Sequence, residues 1–453
     1  MTTAGRERAG VGETTAVDAG RPPWPLAAGL AAGPLFALAV FYLWPFATLI
    51  AEAVDATSFG DAFTRAGTWE TIWFTAWQAV VSTVITLAAG LPVTWAIARR
   101  EFVGRRTLAG LLAAMFVLPT VVMGAAISAL LPESIDRSVT AVLLAHVVFN
   151  LAVVVRVVGP VWSRLPDGLE HAAQTLGASP FGAWRTITLP LLGPAIAGAA
   201  SIVFLFTFTS FGVIRVLGAP GTRTIEVEVW RRATQLGEIG DAAVLAVLQL
   251  VVLGIVAAWS TLAQRRHSRA LGLRPLDPPL APRRRAERIT VAAVAAATFA
   301  VAVVPFVALA VKSISSPTGW TLDAWSDLGS AEIRPGLSLG LDPLGSVANS
   351  VRTATWATLF AVVFGALASL AIAASGRAGR VLDAGLMLPL GTSAVTIGFG
   401  MLITFDTTPV DWRASWWLVP VGHALVATPF VVRTTLGVLR SVYPELLAAS
   451  ATL

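Results

Sequence analysis

The side chains able to do chemistry are few and scattered. The chain has no cysteine, which excludes thiol nucleophiles, disulfides and thiolate metal sites. The four histidines, at 146, 171, 267 and 423, lie far apart, and no close pair of carboxylates falls inside an apolar run. No metal site, no general acid-base pair and no resident cofactor is therefore expected. No segment has the form GxxxxGK[ST], so the chain reads as a non-enzyme that does not itself hydrolyse ATP. What stands out is a polar island between apolar segments, EHAAQTLGASPFGAWRTITLP over 170–190. With Arg164, Asp167, Glu170, His171 and Arg185 in or beside it, this stretch cannot cross a bilayer. Its chemistry is that of a docking surface for something soluble at the membrane face.

The elements that must position it are membrane helices. Of the 453 residues 56% are hydrophobic and 13% charged, with a mean hydropathy of +0.75, against about 45–50% and about 25% in a soluble domain. Apolar runs recur at the length that crosses hydrocarbon as helix, and they lack the alternation of a β-barrel. The fold class expected is an all-α polytopic membrane protein with spans near 26–51, 70–98, 107–131, 138–162, 193–218, 241–263, 289–314, 346–374, 381–404 and 415–440. Residues 1–25 form a polar tail, and the first run lacks a cleavage pattern, so it reads as a retained helix.

Charge orients these spans. Arg6, Arg8 and Arg21 precede the first, Arg99, Arg100, Arg105 and Arg106 separate the second and third, and eight arginines from Arg265 to Arg288 follow the sixth. All fall on one side, which makes the N-terminus cytoplasmic. Glu52, Asp55, Asp61, Glu70, Glu133, Asp136 and the connection 219–241 then face outward. The net charge of +6 and pI near 10.9 record this topology, so the basic partner is the lipid bilayer and not nucleic acid. Trp69, Trp73, Trp320, Trp325, Trp416 and Trp417 sit near span ends as interfacial anchors.

The Arg- and Pro-rich stretch 265–288 reads as a cytoplasmic linker between two halves, 26–264 and 289–453. At an offset of 277, His146 pairs with His423, Val154-Val155-Arg156 with Val431-Val432-Arg433, Ala172 with Ala449, and Thr175-Leu176 with Thr452-Leu453. Gly104-Arg105 pairs with Gly379-Arg380 at a slightly different offset. Paired halves are a transporter plan. The second half stops where the first continues into Gly177, so a full partner would need roughly 80–100 more residues, and a truncated second half is expected.

Within the island, Leu165-Pro166 suits the start of a short helix. Ala172 and Ala173 offer small surfaces for close approach, and Gly177 can take the positive φ that ends the helix. Ser179-Pro180 restarts it as N-cap and first residue, and Phe181, Trp184 and Ile187 form an apolar stripe before Leu189-Pro190 leads into the fifth span. The pattern predicts a helix-turn-helix knob over 163–191.

This loop resembles the "EAA" loop of binding-protein-dependent ABC importer permeases, E-A-A, three residues, G, nine residues, I-x-L-P. Ala172, Ala173, Gly177, Ile187, Leu189 and Pro190 fall in register, while His171 occupies the family's Glu position and Glu170 lies one residue early. Glu445, Ala448, Ala449 and Leu453 would begin a second such loop. Residues 144–150 (LAHVVFN), Arg156, Phe211-Gly212, Thr224-Ile225-Glu226 and 388–400 (LPLGTSAVTIGFG) are similar to the fused two-half permeases of thiamine and iron(III) importers. The resemblance implies type I permease halves in a bacterial inner membrane, an ABC ATPase dimer that receives the knobs, and an extracytoplasmic substrate-binding protein. An ion-driven secondary transporter and a non-transporting truncated fragment are the competing readings. A cytoplasmic EAA loop with few intramembrane carboxylates argues against the first of these.

The remaining polar residues have structural expectations beside functional ones. His146 and Asn150 are candidates to line a cavity or to bond between helices. Arg156 and Arg433 are expected to snorkel to the interface, and Arg215 to anchor there. Glu226, Glu228, Trp230, Arg231 and Arg232 read as a solvated outward loop.

Overall fold

The computed structural model describes residues 24–54, 57–166, 168–267, 279–282, 284–326, 328, 332–334, 337–338, 342–406 and 411–441. Apolar runs become helices because hydrocarbon offers no partner to a backbone N–H or C=O, so each must be satisfied within its own segment. Among the described residues eight helices are long and apolar enough to cross a membrane. They are α1 (Pro25–Val54), α2 (Thr68–Arg99), α5 (Val139–Trp162), α7 (Pro180–Phe208), α10 (Ile239–His267), α11 (Arg285–Ser313), α12 (Pro343–Ala374) and α15 (Leu418–Ser441). Between them lie α3 (Arg105–Val117), α4 (Thr120–Leu130), α6 (Gly168–Thr175), α8 (Gly212–Leu217), α9 (Ile225–Arg231), α13 (Gly376–Leu386) and α14 (Ala394–Thr404). The protein is an all-α polytopic membrane protein, its described strands being two short hairpins, Ser315–Ser316 with Gly319–Trp320 and Glu332–Arg334 with Leu337–Ser338.

Three expected spans are corrected. The run at 107–131 is a bent pair, α3 and α4, folded by 111°. Leu118 precedes Pro119, whose ring disfavours helical ψ in the residue before it, and Leu118 is extended at ψ 142°. The run at 381–404 is likewise interrupted, between Leu388 and Ser393. The fifth span begins earlier and ends earlier than 193–218. It runs from Pro180 to Phe208 through a π turn at Trp184–Thr188, just ahead of Pro190, whose missing N–H already interrupts the ladder. Residues 212–217 then form the separate helix α8.

By contacts the chain divides into two units. The larger holds Phe46–Asn349 with Gly391–Thr404, and the smaller holds Met1–Pro45, Ser350–Leu390 and Phe405–Leu453. In the larger unit α2 packs along α5 and α7, and α11 lies on α4, α3 and α2, with Ala302 in one buried apolar cluster with Met123, Ile127 and Val142. Helix α11 thus belongs with the first-half helices although it follows the linker. In the smaller unit Pro34, Leu38, Phe364, Leu386 and Leu425 meet around one pocket, and Phe41 stacks near Phe405, Trp412 and Trp417.

The internal repeat is structural as well as sequential. Helices α2 and α12 are both 32 residues long, and each bound of one differs from the other's by 275. A Cβ added to Gly90 would lie 2.8 Å from Val154 Cβ, and one added to Gly365 would lie 2.6 Å from Val431 Cβ. Thr94 donates to the Gly90 carbonyl and Ser369 to that of Gly365, both at 2.7 Å. The same glycine crossing therefore occurs once in each half. It suits a membrane because helices there associate through close van der Waals approach, with no hydrophobic gain to drive them.

Candidate functional site

The knob is built by two caps. Helix α6 ends in a Schellman motif: Ala178 N–H donates to the Ala173 carbonyl and Gly177 N–H to that of Gln174, each at 3.0 Å, with Gly177 at φ +93°. Ser179 then caps α7, its Oγ accepting from Gly182 N–H at 3.0 Å, with Pro180 as the first helical residue. Helix α6 starts at Gly168, two residues after Pro166. The second arm is the first turns of α7 itself, so the knob and the fifth span form one lever.

The base of the knob is tied down. Arg99 Nη1 donates to the carbonyls of Trp162 (3.2 Å) and Leu165 (2.6 Å), placing a cation at the C-terminal end of α5. Ser163 Oγ donates to the Ala98 carbonyl at 3.2 Å. Glu170 accepts from the Thr188 hydroxyl and so braces α6 against the π turn. Ile187, Leu169, Leu191 and Thr188 line the groove between the two arms. The tip is unlike the base: Leu176 is 89% and Phe181 67% exposed, and Phe181 stacks on Trp184 with centroids 5.8 Å apart.

The motif residues thus divide by position. His171, Ala172, Gly177 and Pro190 are exposed, whereas Glu170, Ala173, Ile187 and Leu189 are half-buried. Glu445, Ala448, Ala449 and Leu453 lie outside the described residues. Elsewhere, His146 is buried, with Ser82 Oγ 3.0 Å from Nδ1 and Ser210 Oγ 2.8 Å from Nε2. Asn150 Nδ2 donates to the His146 carbonyl at 2.9 Å, and its Oδ1 is buried without a partner. Through Ser82, His146 meets a polar stripe that sequence reading missed: Thr71, Thr75, Gln78, Ser82, Thr86 and Thr94 lie at helical spacing on α2, all buried. The signal was their spacing of three and four residues.

The reading of Glu226 and Glu228 as a solvated loop is overturned. Both are 2% exposed, because Ile225–Arg231 is helical and packs on α10 and α14. Alternation of acid with valine hid this helix, while Glu228 with Arg231 and Arg232, three and four residues on, was its signal. Burial pushes the Glu228 carboxyl up, but the hydrogen bonds and charges of Arg231 and Arg232 outweigh it and hold the group below the usual carboxylate range. Arg215 sits over the Trp230 ring at 4.6 Å.

Glu226 has no arginine in its bonded set. It accepts from the Ser393 hydroxyl, the Gln249 amide and the Val395 N–H, yet burial pushes its carboxyl up to about 7. The folded state therefore holds this proton more tightly than the unfolded chain. The stabilisation is full below the ordinary value of 4.5 and is lost as pH rises toward about 7, a loss of about 3 kcal/mol. Glu226→Gln is expected to flatten that fall in melting temperature, measured in detergent from about pH 5 to about pH 8. An equal fall in both proteins would refute it.

The described residues thus combine helices long and apolar enough to span a membrane, a like glycine crossing in each half, and a braced knob with an exposed apolar tip. Residues 88–270 match the model of the family described as "Binding-protein-dependent transport system inner membrane component". The thiamine transport system permease protein of Brucella abortus (strain 2308) is 26% identical over 441 residues, 90% of this chain and 76% of that one. That of Escherichia coli (strain K12) is 29% identical over 221 residues, 45% of this chain, and the match covers 40% of that protein's own length. The sulfate transport system permease protein of Salmonella typhimurium LT2 is 29% identical over 210 residues, 43% of this chain and 76% of that protein. These matches support an ABC importer permease of the two-half type, with the family match itself falling on residues 88–270.

Proposed function

We propose that this permease forms the path of an ATP-driven thiamine importer in a bacterial inner membrane, with its N-terminus cytoplasmic. The knob over 163–191 docks an ABC ATPase, which performs the hydrolysis, and an extracytoplasmic binding protein delivers the substrate. Residues Glu445, Ala448, Ala449 and Leu453 begin the corresponding second contact. The observation that carries this reading is the knob itself, rigid at its base through Arg99 and Glu170 and apolar at its exposed tip through Leu176 and Phe181. Exposed apolar side chains on a fixed lever suit a partner whose closure must move the spans. Thiamine is preferred over iron(III) because thiamine permeases match over most of the chain.

The test is reconstitution. Tagged permease should retain an ATPase through purification, and proteoliposomes given ATPase and binding protein should take up thiamine only with ATP. Uptake of iron(III) in place of thiamine would redirect the substrate, and the sulfate relative supplies a third arm. Uptake driven by a proton gradient without ATP, with no ATPase retained, would sink the importer reading.

A further inference from the structure

The connection between α7 and α10 receives an arm from each half of the sequence, and it holds the two arms differently. Helix α4 is locked sterically on α8: a Cβ on Gly212 would collide with Thr120 Oγ1 and lie 3.1 Å from Val121 N, and one on Gly124 would lie 2.9 Å from Val216 Cβ. Such interdigitation cannot be undone without opening voids. Helix α14 shares an apolar cluster with α9 through Phe399, Ile225 and Val229, and adds polar bonds to it. Ser393 donates to Glu226 while its Oγ accepts from Val395 N–H (3.1 Å) and Thr396 N–H (3.3 Å), so the Glu226 carboxylate caps the head of the arm from outside it. Gln249, from α10, donates to the other carboxylate oxygen.

A carboxylate buried among neutral donors is a poor structural rivet, since an apolar side chain would avoid its desolvation. Among the described residues Gln249 Oε1 and the Thr396 hydroxyl are buried beside it and make no hydrogen bond. Resting on the permease reading above, we propose that Glu226 is a releasable latch. Its bond to Ser393 holds the second-half arm α14 on α9, and every transport cycle must break and remake it. Glu226 is a positioning residue, acting on substrate movement through α14.

The absence of native cysteine makes a direct test possible. In proteoliposomes with ATPase and binding protein, Glu226→Cys/Ser393→Cys is joined by a short bifunctional thiol reagent that a reductant cleaves. Crosslinking is expected to lower ATP-dependent uptake at least tenfold, with recovery on reduction. Uptake unchanged by the crosslink, or failure of the pair to crosslink at all, overturns the latch alone. Absence of ATP-dependent uptake by the wild-type assembly overturns the permease reading and the latch with it. A second measurement avoids the double variant: Glu226→Gln, nearly isosteric, is expected to raise ATPase activity without binding protein at least threefold, and Glu226→Asp to restore it toward wild type. Basal ATPase and uptake identical to wild type in Glu226→Gln would also overturn it.

Discussion

Glu228→Ala is expected to cost about 3–5 kcal/mol and to remove most folded protein from the membrane, the scale of breaking a buried ion pair. Its carboxylate accepts from Arg231 at 2.7 and 3.0 Å and from Arg232 at 2.9 Å. Arg223 adds a contact at 3.6 Å. Arg232, its side chain only 3% exposed, would be left with Asp241 at 3.4 Å and the Thr68 hydroxyl at 3.1 Å. Asp241 compensates only in part, because the oxygen it offers Arg232 also pairs with Arg65 at 3.0 Å. The penalty is mainly an arginine stranded in a dry site, so removing the cation as well should recover part of it. Glu228→Ala/Arg232→Leu is therefore expected to melt above Glu228→Ala, a non-additive cycle. Fluorescence-detected gel filtration across a temperature series measures both, and a single variant that melts with the wild type would refute the account.

Gly177→Pro is expected to abolish stimulation of the partner ATPase and to lower uptake at least tenfold, while the protein still inserts and folds. Proline fixes φ near −65° and lacks an N–H, whereas Gly177 sits at +93° and donates to Gln174. The turn between α6 and α7 would open, moving Leu176 and Phe181 relative to each other. Gly177→Ala should be milder: a Cβ meets nothing within 4 Å, so the cost is only the left-handed backbone, about 1–2 kcal/mol. The graded order, wild type above alanine above proline, is read as stimulated ATPase per reconstituted complex. Equal melting temperatures across the three proteins would place the defect in coupling. Full uptake by the proline variant would count against the knob.

Both variants concern features that differ in how far the chain announced them. The caps at Gly177 and Ser179 are local: positive φ, a small hydroxyl and a proline act within a few residues, so their types and spacing predict the turn. The Glu170–Thr188 brace spans 18 residues and depends on how α6 folds back, which no local pattern specifies. The breaks at Leu118-Pro119 and before Ser393 carried proline and polar signals, but continuous hydropathy masked them, because apolarity measures residence in lipid and not direction of travel. Burial of Glu226 and Glu228 was invisible for a related reason. A carboxylate reads as solvated until donors from distant segments are brought to it, and Gln249 and Ser393 lie 23 and 167 residues away.

The amino-acid sequence alone determined the membrane class, the rough place of most spans, the twofold repeat and the turn of the knob with its two caps. Each of these rests on hydropathy, on backbone conformational preference or on self-similarity, all of which are local or additive along the chain. The tertiary structure decided that α11 groups with the first-half helices and that the polar stripe on α2 faces inward. It also decided that one arm is locked by glycine contacts and that the other adds a buried carboxylate to its apolar packing. Those depend on which surfaces meet, and in a bilayer helix surfaces are sorted by close packing and hydrogen-bond satisfaction.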